Sequence, residues 1–159
     1  MTREELCRFV ADQDDPRYEL HHPFSVGKWS YATNGHIAVR VPRLADVEVN
    51  RAAPNVEKLF AQTEQLEFVP VPVCESPPDV KCMLCDGSGL IQDGDDREDC
   101  SDCGATGKVE CHDGLAVGNA RFQKRYLAMI QNWEIAPNGV TAAWIRNGEA
   151  SGLLMPLQW

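Results

Sequence analysis

The sequence lacks any long run of apolar residues, and this absence excludes a membrane-spanning helix. No part of it approaches the roughly eighteen consecutive apolar positions that such a helix needs. The chain begins Met1-Thr2-Arg3-Glu4-Glu5, whereas a secretion signal would carry bases and then an apolar stretch at this place. We therefore expect a cytoplasmic protein that has no membrane partner.

Basic residues are scarce as well. The chain has 15 Lys and Arg against 24 Asp and Glu, which gives a formal net charge of −9. Most of this charge lies in residues 79–110, where nine acids and three bases leave −6. The sign reverses in residues 120–159, where four bases exceed two acids. An acidic middle section and a mildly basic final section predict two surfaces with different partners.

Catalytic motifs are also missing. His21, His22 and His36 have no nucleophile or acid at the spacing of a catalytic site. The acidic run 93–99 has Glu98 at the place where a calcium-binding EF-hand loop needs glycine. The sequence therefore predicts a protein that is not an enzyme.

Four of the seven cysteines form two regular pairs, Cys82-Met-Leu-Cys85 and Cys100-Ser-Asp-Cys103. A two-residue spacer lets both thiolates of a pair face one tetrahedral ion, and two pairs complete a closed shell of four sulfurs. The pattern favours one structural Zn²⁺ held by Cys82, Cys85, Cys100 and Cys103, with redox-active dithiols as the alternative. Whether Cys111 or His112 competes as a ligand stays open, and we interpret Cys7 and Cys74 as packing residues.

Glycines follow both pairs, in Cys85-Asp-Gly87-Ser-Gly89 and in Cys103-Gly-Ala105-Thr-Gly107. The first repeat, CxxCxGxG, resembles the zinc domain of DnaJ-type proteins, and the second departs from it only at Ala105. The resemblance covers about residues 81–108 and implies a zinc-binding hairpin with the same four cysteines as ligands. The His-Pro-Asp tripeptide of the co-chaperones does not occur, so co-chaperone activity does not follow.

The patterns on either side of the cysteines predict an α+β fold. A capping box at Thr2 and Glu5 begins a helix over 2–13, and Asn34-Gly35 joins strands 29–33 and 36–41. A short helix after Pro54 should bury Val56, Leu59 and Phe60. A bent or edge strand over 66–73 should pair with a strand over 110–117, so that the zinc hairpin forms an extended tip between them.

The final section predicts a helix and three more strands. Asn119 should cap a helix that ends at Gln131, with one apolar face and Arg121, Lys124 and Arg125 on another. Strands over 133–136, 140–146 and 149–155 should follow, with turns at Asn138-Gly139 and Asn147-Gly148. The chain then has two helix-plus-three-strand halves around one sheet. Its parts are residues 1–80, the zinc-binding hairpin 81–108 and residues 109–159.

Three segments resemble a domain of the bacterial DNA sliding clamp, the polymerase III beta subunit: Tyr31-Ala-Thr-Asn-Gly-His36, the stretch 115–127 and Gly152-Leu-Leu-Met-Pro-Leu157. The resemblance implies a clamp-like fold whose two helices face DNA. Arg121, Lys124 and Arg125 would then contact phosphates without reading bases. It also implies a hydrophobic cleft for partner peptides, formed in part by Leu154, Met155, Pro156 and Leu157. The same bases are compatible with a solvated face, and the same apolar segment with a core strand.

Two functional hypotheses follow. The first is a non-enzymatic, zinc-binding, DNA-associated accessory protein with a clamp-like fold, bound non-specifically to double-stranded DNA or to a replication or host protein. The clamp ring closes from six such domains and this chain holds one, so assembly into a homo-oligomer stays open. The second is a zinc-stabilised protein–protein interaction module, an adaptor or inhibitor of a phage or mobile element, that does not bind DNA.

Overall fold

The computed structural model describes residues 1–50, 56–60, 66–93 and 96–158. Within these ranges the α-helices are α1 (Arg3–Leu6) and α2 (Lys124–Met129), and short 3₁₀ helices cover Cys7–Phe9, Tyr18–Leu20 and Val56–Phe60. The strands are β1 (Phe24–Val26), β2 (Trp29–Thr33), β3 (Ile37–Pro42), β4 (Val69–Pro70), β5 (Val80–Lys81), β6 (Leu90–Asp93), β7 (Asp96–Asp99), β8 (Lys108–Val109), β9 (Gly114–Val117), β10 (Ala120–Gln123), β11 (Glu134–Asn138), β12 (Thr141–Asn147) and β13 (Ala150–Leu154). The chain is mixed and mostly β, which is compatible with an α+β class. No helix in the described ranges has the length and apolar character needed to cross a membrane.

Seven strands form one antiparallel sheet in the order β1-β2-β3-β13-β12-β11-β4. Strands β1 to β3 and strands β11 to β13 are two meanders, and the pairing of β3 with β13 joins them at the centre. Gly152 lies opposite Val39 in this pairing, and a Cβ atom on it would be 2.5 Å from the Ala38 carbonyl oxygen. In this strand order the two meanders are related by an approximate twofold axis that lies between β3 and β13.

Glycine stands first in the two-residue loops of the sheet hairpins. The loops are Gly27-Lys28, Gly35-His36, Gly139-Val140 and Gly148-Glu149, and each of these glycines has a positive φ. The residues at the second loop positions do not have a positive φ, which excludes type I′ turns, in which both loop residues have one. The hairpins predicted from the Asn-Gly pairs are confirmed, but their loops begin at the glycine and not at the asparagine. Asn138 and Asn147 are still paired, opposite Thr141 and Ala150.

The main core lies on one face of the sheet, where both helical segments pack. Leu6 and Phe9 come from the α1 segment and Leu127 from α2, and all three belong to one buried cluster with sheet residues such as Val39 and Ile145. A second, smaller cluster on the opposite face contains Phe24, Tyr31 and Phe60. Each face of the sheet thus contributes to one of the two clusters, and both helices lie on the same side of the sheet.

The first helix is shorter than the predicted 2–13. The capping box is confirmed: Glu5 accepts a hydrogen bond from the Thr2 N–H at 2.7 Å, and Thr2 Oγ1 accepts one from the Glu5 N–H at 3.3 Å. Helical turns end at Phe9, because Val10 is extended and the Ala11 N–H donates to the Leu20 carbonyl. The Ala11 N–H thus donates to Leu20 instead of to a carbonyl of the preceding helical turn.

The predicted pairing of 66–73 with 110–117 is wrong. Val69 in β4 lies opposite Ile135 in β11, at the edge of the sheet, so the prediction of an edge strand is confirmed. Strand β9 instead pairs with β10 across the two-residue loop Gly118-Asn119. Asn119 therefore lies in a turn and does not cap a helix. The predicted helix 119–131 is reduced to α2, and residues 120–123 form a strand.

Two smaller predictions also need correction. In the 3₁₀ helix Val56–Phe60, Val56 and Phe60 are buried as predicted, but Leu59 is 56% exposed. Pro54, from which that helix was expected to start, lies outside the described residues. Cys7 is exposed and so is not a packing residue, whereas Cys74 packs against the main core.

Candidate metal centre

The structure brings the four paired cysteines together into one buried cluster. Their sulfur atoms all lie within 4.8 Å of one another, with Cys82 and Cys100 sulfurs 3.8 Å apart and Cys85 and Cys103 sulfurs 3.7 Å apart. A metal–sulfur distance of about 2.3 Å gives a tetrahedron with edges of about 3.8 Å. The four residues therefore fit one tetrahedral ion, as the spacing predicts.

The two CxxC turns and the glycines after them form two equivalent units, the first knuckle (residues 82–89) and the second knuckle (residues 100–107). In each knuckle the last glycine donates a backbone hydrogen bond to a cysteine sulfur: Gly89 to Cys85 and Gly107 to Cys103, both at 3.3 Å. Such N–H donors stabilise a thiolate. Both knuckles make the same hydrogen bond, which explains why a glycine stands at the same place after each CxxC pair.

Each knuckle is also bonded to the start of the other. The Cys100 N–H donates to the Gly89 carbonyl at 2.8 Å, and the Cys82 N–H donates to the Gly107 carbonyl at 3.0 Å. At the base, β5 and β8 pair with Val80 opposite Val109. The metal module, which we define as residues 82–107, is therefore closed around its four sulfurs.

Backbone packing explains the last glycine of each knuckle. A Cβ atom on Gly89 would lie 2.2 Å from the Ala105 carbonyl oxygen, and one on Gly107 would lie 2.3 Å from the Gly87 carbonyl oxygen. Ala105, the one departure from the CxxCxGxG pattern, has a left-handed φ of 64°, and Gly87, at the equivalent place in the first knuckle, has one of 78°. An alanine in this conformation costs roughly 1–2 kcal/mol relative to its preferred conformation.

The sulfurs differ in their electrostatic surroundings. Burial raises the pKa of the Cys85 thiol, but the Gly89 N–H and the neighbouring thiols outweigh this effect and lower the pKa to about 6. Backbone hydrogen bonds from the Cys85 and Leu84 N–H groups lower the pKa of Cys82, whereas burial and the Asp102 carboxylate raise it to about 12. Cys85 is therefore the cysteine of this pair that favours the thiolate, the form that binds metal.

Few apolar side chains support the metal module. The four cysteines form a cluster of their own, against which Ile91 and Val109 pack. A unit with so small an apolar core needs a covalent or metal cross-link to remain folded. A structural ion would therefore supply much of its folding free energy.

Cys111 and His112 lie outside the four-sulfur cluster. Among the described residues, Cys82, Cys85, Cys100 and Cys103 are the group in which three or more ligand atoms lie close enough to share an ion. His112 Nδ1 instead accepts a hydrogen bond from the Gln123 side-chain amide at 3.1 Å. The structure thus places both residues in the segment that leaves the metal module.

The three bases predicted to contact DNA do not share one helix face. Arg121 lies in β10, where its carbonyl accepts a hydrogen bond from the Leu157 N–H, and Lys124 and Arg125 begin α2. Lys124 Nζ is 2.5 Å from Asp113 Oδ2, and Arg125 pairs with Glu110. The Asp113 carboxylate raises the pKa of Lys124 through this hydrogen bond. Two of the bases therefore hold the segment that leaves the metal module, and their contact with DNA remains a prediction.

The four residues predicted to form a partner cleft have different surroundings. Leu154 is fully buried in the main core, Pro156 is buried, and Leu157 is partly buried. Met155 is 43% exposed and lines an apolar groove of about 340 Å³ together with Ile37, Leu59 and Leu153. Met155 is thus the member of this segment that opens onto the groove.

Sequence reasoning overlooked the two residues between the first pair of cysteines. Met83 is 86% exposed and Leu84 is 59% exposed. In a CxxC knuckle the two cysteines turn inward to one ion, so the intervening side chains face outward. The apolar character of both was the available signal.

Comparisons of the chain with protein-family models, with curated proteins and with solved structures find no match.

Proposed function

We propose that the protein is a non-enzymatic interaction module stabilised by Zn²⁺, and that it binds a protein partner through the exposed end of its first knuckle. The supporting observation is the exposure of Met83 and Leu84, which we call the knuckle tip. Both side chains are attached to a backbone fixed by the metal ligands on either side. Binding would therefore cost the conformational entropy of the two side chains but little entropy of the backbone.

The charge of the metal module favours a protein partner over a nucleic acid. Asp96, Glu98 and Asp99 are exposed along β7, in the same module. One Zn²⁺ and four thiolates add two further negative charges. Phosphate groups would be repelled here, whereas burial of a Met or Leu side chain by a protein contributes about 1.5–3 kcal/mol.

Replacing Met83 and Leu84 together by serine tests this proposal. We expect the double variant to retain about one zinc per chain, because the ligands are unchanged, and to lose at least about tenfold in affinity for a partner captured by the wild-type chain. Binding would be measured by surface plasmon resonance with the purified partner.

The matched control is Val140→Ser, which removes another strongly exposed apolar side chain from the loop between β11 and β12. It should leave affinity unchanged. Equal binding by the double variant and the wild type would contradict the proposal. Binding that persists after zinc has been removed by a chelator would contradict it too.

The second candidate is the DNA-associated accessory protein with a clamp-like fold. It is supported by the twofold connectivity about β3 and β13, by the position of both helices on one face of the sheet, and by the apolar groove at Met155. On this proposal the bases near α2 contact the DNA backbone.

The triple change Arg121→Ser, Lys124→Ser and Arg125→Ser tests the DNA proposal. Affinity for double-stranded DNA should fall at least about fivefold at low salt. The slope of log affinity against log salt should lose about 2 to 3 units, since each phosphate contact contributes about 0.9. Fluorescence anisotropy with a labelled duplex measures both quantities.

Glu110→Ser combined with Asp113→Ser is the control, because it breaks the same ion pairs but leaves the bases in place. DNA affinity should then be retained or rise. Absence of salt-dependent binding in the wild type, or an unchanged affinity in the triple variant, would rule out this candidate.

A further inference from the structure

Four residues with hydrogen-bond donors lie side by side on the face of the sheet opposite the main core. We call them the donor row: Tyr31 in β2, Arg40 in β3, Ser151 in β13 and Arg146 in β12. Each lies directly opposite the next in the strand register. Residues paired in this way point to the same face, and adjacent strands are about 4.8 Å apart. The donor row therefore gathers two guanidinium groups and two hydroxyl groups in one strip of the sheet.

The guanidinium group of Arg40 is held in a fixed position. Its central carbon lies 4.5 Å from the centre of the Trp29 ring and 4.2 Å from the centre of the Phe60 ring, in two cation–π contacts. Its Nε donates a hydrogen bond to Ser151 Oγ at 2.9 Å. Because Arg40 is ordered in advance, a ligand would gain its charge and its N–H donors without the entropy cost of ordering a free arginine.

Neither the charge of Arg40 nor the hydroxyl of Tyr31 is paired in the described part of the chain. Within those residues Arg40 takes part in no ion pair. The Tyr31 hydroxyl is buried and has no partner of good hydrogen-bond geometry in the same ranges. Burial and, to a smaller extent, the Glu57 carboxylate raise the pKa of Tyr31 more than the nearby Arg40 guanidinium lowers it, so the hydroxyl keeps its proton at neutral pH. A buried donor without an acceptor is unfavourable, and a bound anion would supply the acceptor.

Arg146, at the other end of the donor row, is only partly neutralised. It lies over the Phe68 ring at 3.9 Å, and its Nε donates to Glu134 Oε2 at 2.7 Å. Both side chains of this ion pair are about half exposed, so water screens it. Ser151 lies between the two arginines, and its hydroxyl accepts a hydrogen bond from Arg40 while it retains a hydrogen to donate. The two arginines therefore flank a hydroxyl donor.

We propose that the donor row is a binding site for a phosphate group, carried by inorganic phosphate or by a small phosphomonoester. A phosphate offers several acceptor oxygens and a double negative charge, and guanidinium groups bind it through paired N–H donors. Arg40, Ser151 and Arg146 contact the phosphate oxygens. Tyr31 donates its hydroxyl hydrogen from the buried end of the row. The site lies on the sheet and depends neither on the knuckle tip nor on the bases near α2.

The test titrates the full chain with inorganic phosphate at neutral pH and constant ionic strength. Binding is followed by NMR of the tryptophan indole N–H groups. The Trp29 signal, assigned by its loss in Trp29→Phe, reports on the neighbouring Arg40. The wild type should show a saturable shift of this signal. Arg40→Gln should weaken phosphate binding at least about tenfold, because it removes charge-assisted hydrogen bonds.

Tyr31→Phe removes only the unpaired hydroxyl. It should weaken phosphate binding about fivefold, and it should leave the free energy of unfolding unchanged or higher, since a buried hydroxyl without a partner does not stabilise the fold. Lower stability with unchanged affinity would show a structural role and overturn the proposal. Titration with phenyl phosphate identifies the source of the phosphate: tighter binding than inorganic phosphate supports an esterified ligand, and weaker binding supports the free ion.

Arg43→Gln is the matched control, because Arg43 is an exposed arginine just after β3 whose side chain donates to the Gly27 carbonyl. Its phosphate affinity should stay within about twofold of the wild type. Absence of a saturable shift in the wild type would overturn the proposal. So would an equal shift on titration with chloride at the same ionic strength, or an equal loss of affinity in Arg43→Gln.

Discussion

Replacing Cys82 or Cys103 by serine should abolish metal binding and unfold the metal module while the seven-stranded sheet stays folded. In the described part of the module, the four cysteines have little apolar support beyond Ile91 and Val109, so a bound ion would contribute most of its folding free energy. The sheet has its own core on both faces and is large enough to fold without a metal. Elemental analysis should fall from about one zinc per chain to near zero. Amide hydrogen exchange should lose protection in residues 82–107 and retain it in β3 and β13.

Cys7→Ser provides the control for this change, since Cys7 is an exposed cysteine that does not belong to the four-sulfur cluster. Its zinc content and exchange pattern should match the wild type. A serine variant at Cys82 that still holds about one zinc per chain would show that the ion is bound elsewhere. Loss of protection throughout the sheet would show that the module and the sheet fold as one cooperative unit.

Leu154→Ala should destabilise the whole protein by about 2–5 kcal/mol. Leu154 is fully buried in the main core, so the substitution leaves a cavity where its side chain was. The adjacent Met155→Ala should cost less than about 1 kcal/mol, since that side chain is partly exposed at the groove. Urea unfolding followed by tryptophan fluorescence measures both free energies of unfolding.

The two neighbouring substitutions separate a core residue from a groove residue in the segment predicted to bind partner peptides. Their m-values should agree, because neither changes the surface exposed on unfolding by much. Equal destabilisation by both would mean that Met155 also belongs to the core. A stable Leu154→Ala variant would mean that β13 is not fixed in the register with Ala143 opposite Leu154.

The features that the sequence predicted correctly are those specified by a few neighbouring residues. The Asn-Gly pairs at 34–35, 138–139 and 147–148 indicate the hairpins locally, although the loops at 139–140 and 148–149 begin one residue later than predicted. The CxxC spacing likewise requires each cysteine pair to face one point. The capping box between Thr2 and Glu5 is local too, and the structure contains it.

The predictions that failed depended on partners distant in the sequence. Val69 and Pro70 pair with β11, and no short-range signal in the sequence separates this partner from residues 110–117. The helix over 119–131 was predicted from the spacing of its apolar residues, but Phe122 at that spacing belongs to a strand. Arg121 was therefore assigned to the wrong element, and the ion pairs of the other two bases could not be read from the sequence.

The central pairing of β3 with β13 has a consequence for how the chain is made. Arg40 and Ser151, joined by a hydrogen bond across this pair, are 111 residues apart in the sequence, with the entire metal module between them. On the ribosome, β1, β2 and β3 can form a meander early, but its inner edge then stays unpaired until β13 has been synthesised. An exposed edge of this kind is a template for association with other chains. The nascent chain should therefore be most prone to aggregate while the cysteine-rich segment emerges, and refolding from denaturant should be slow for a protein of this size.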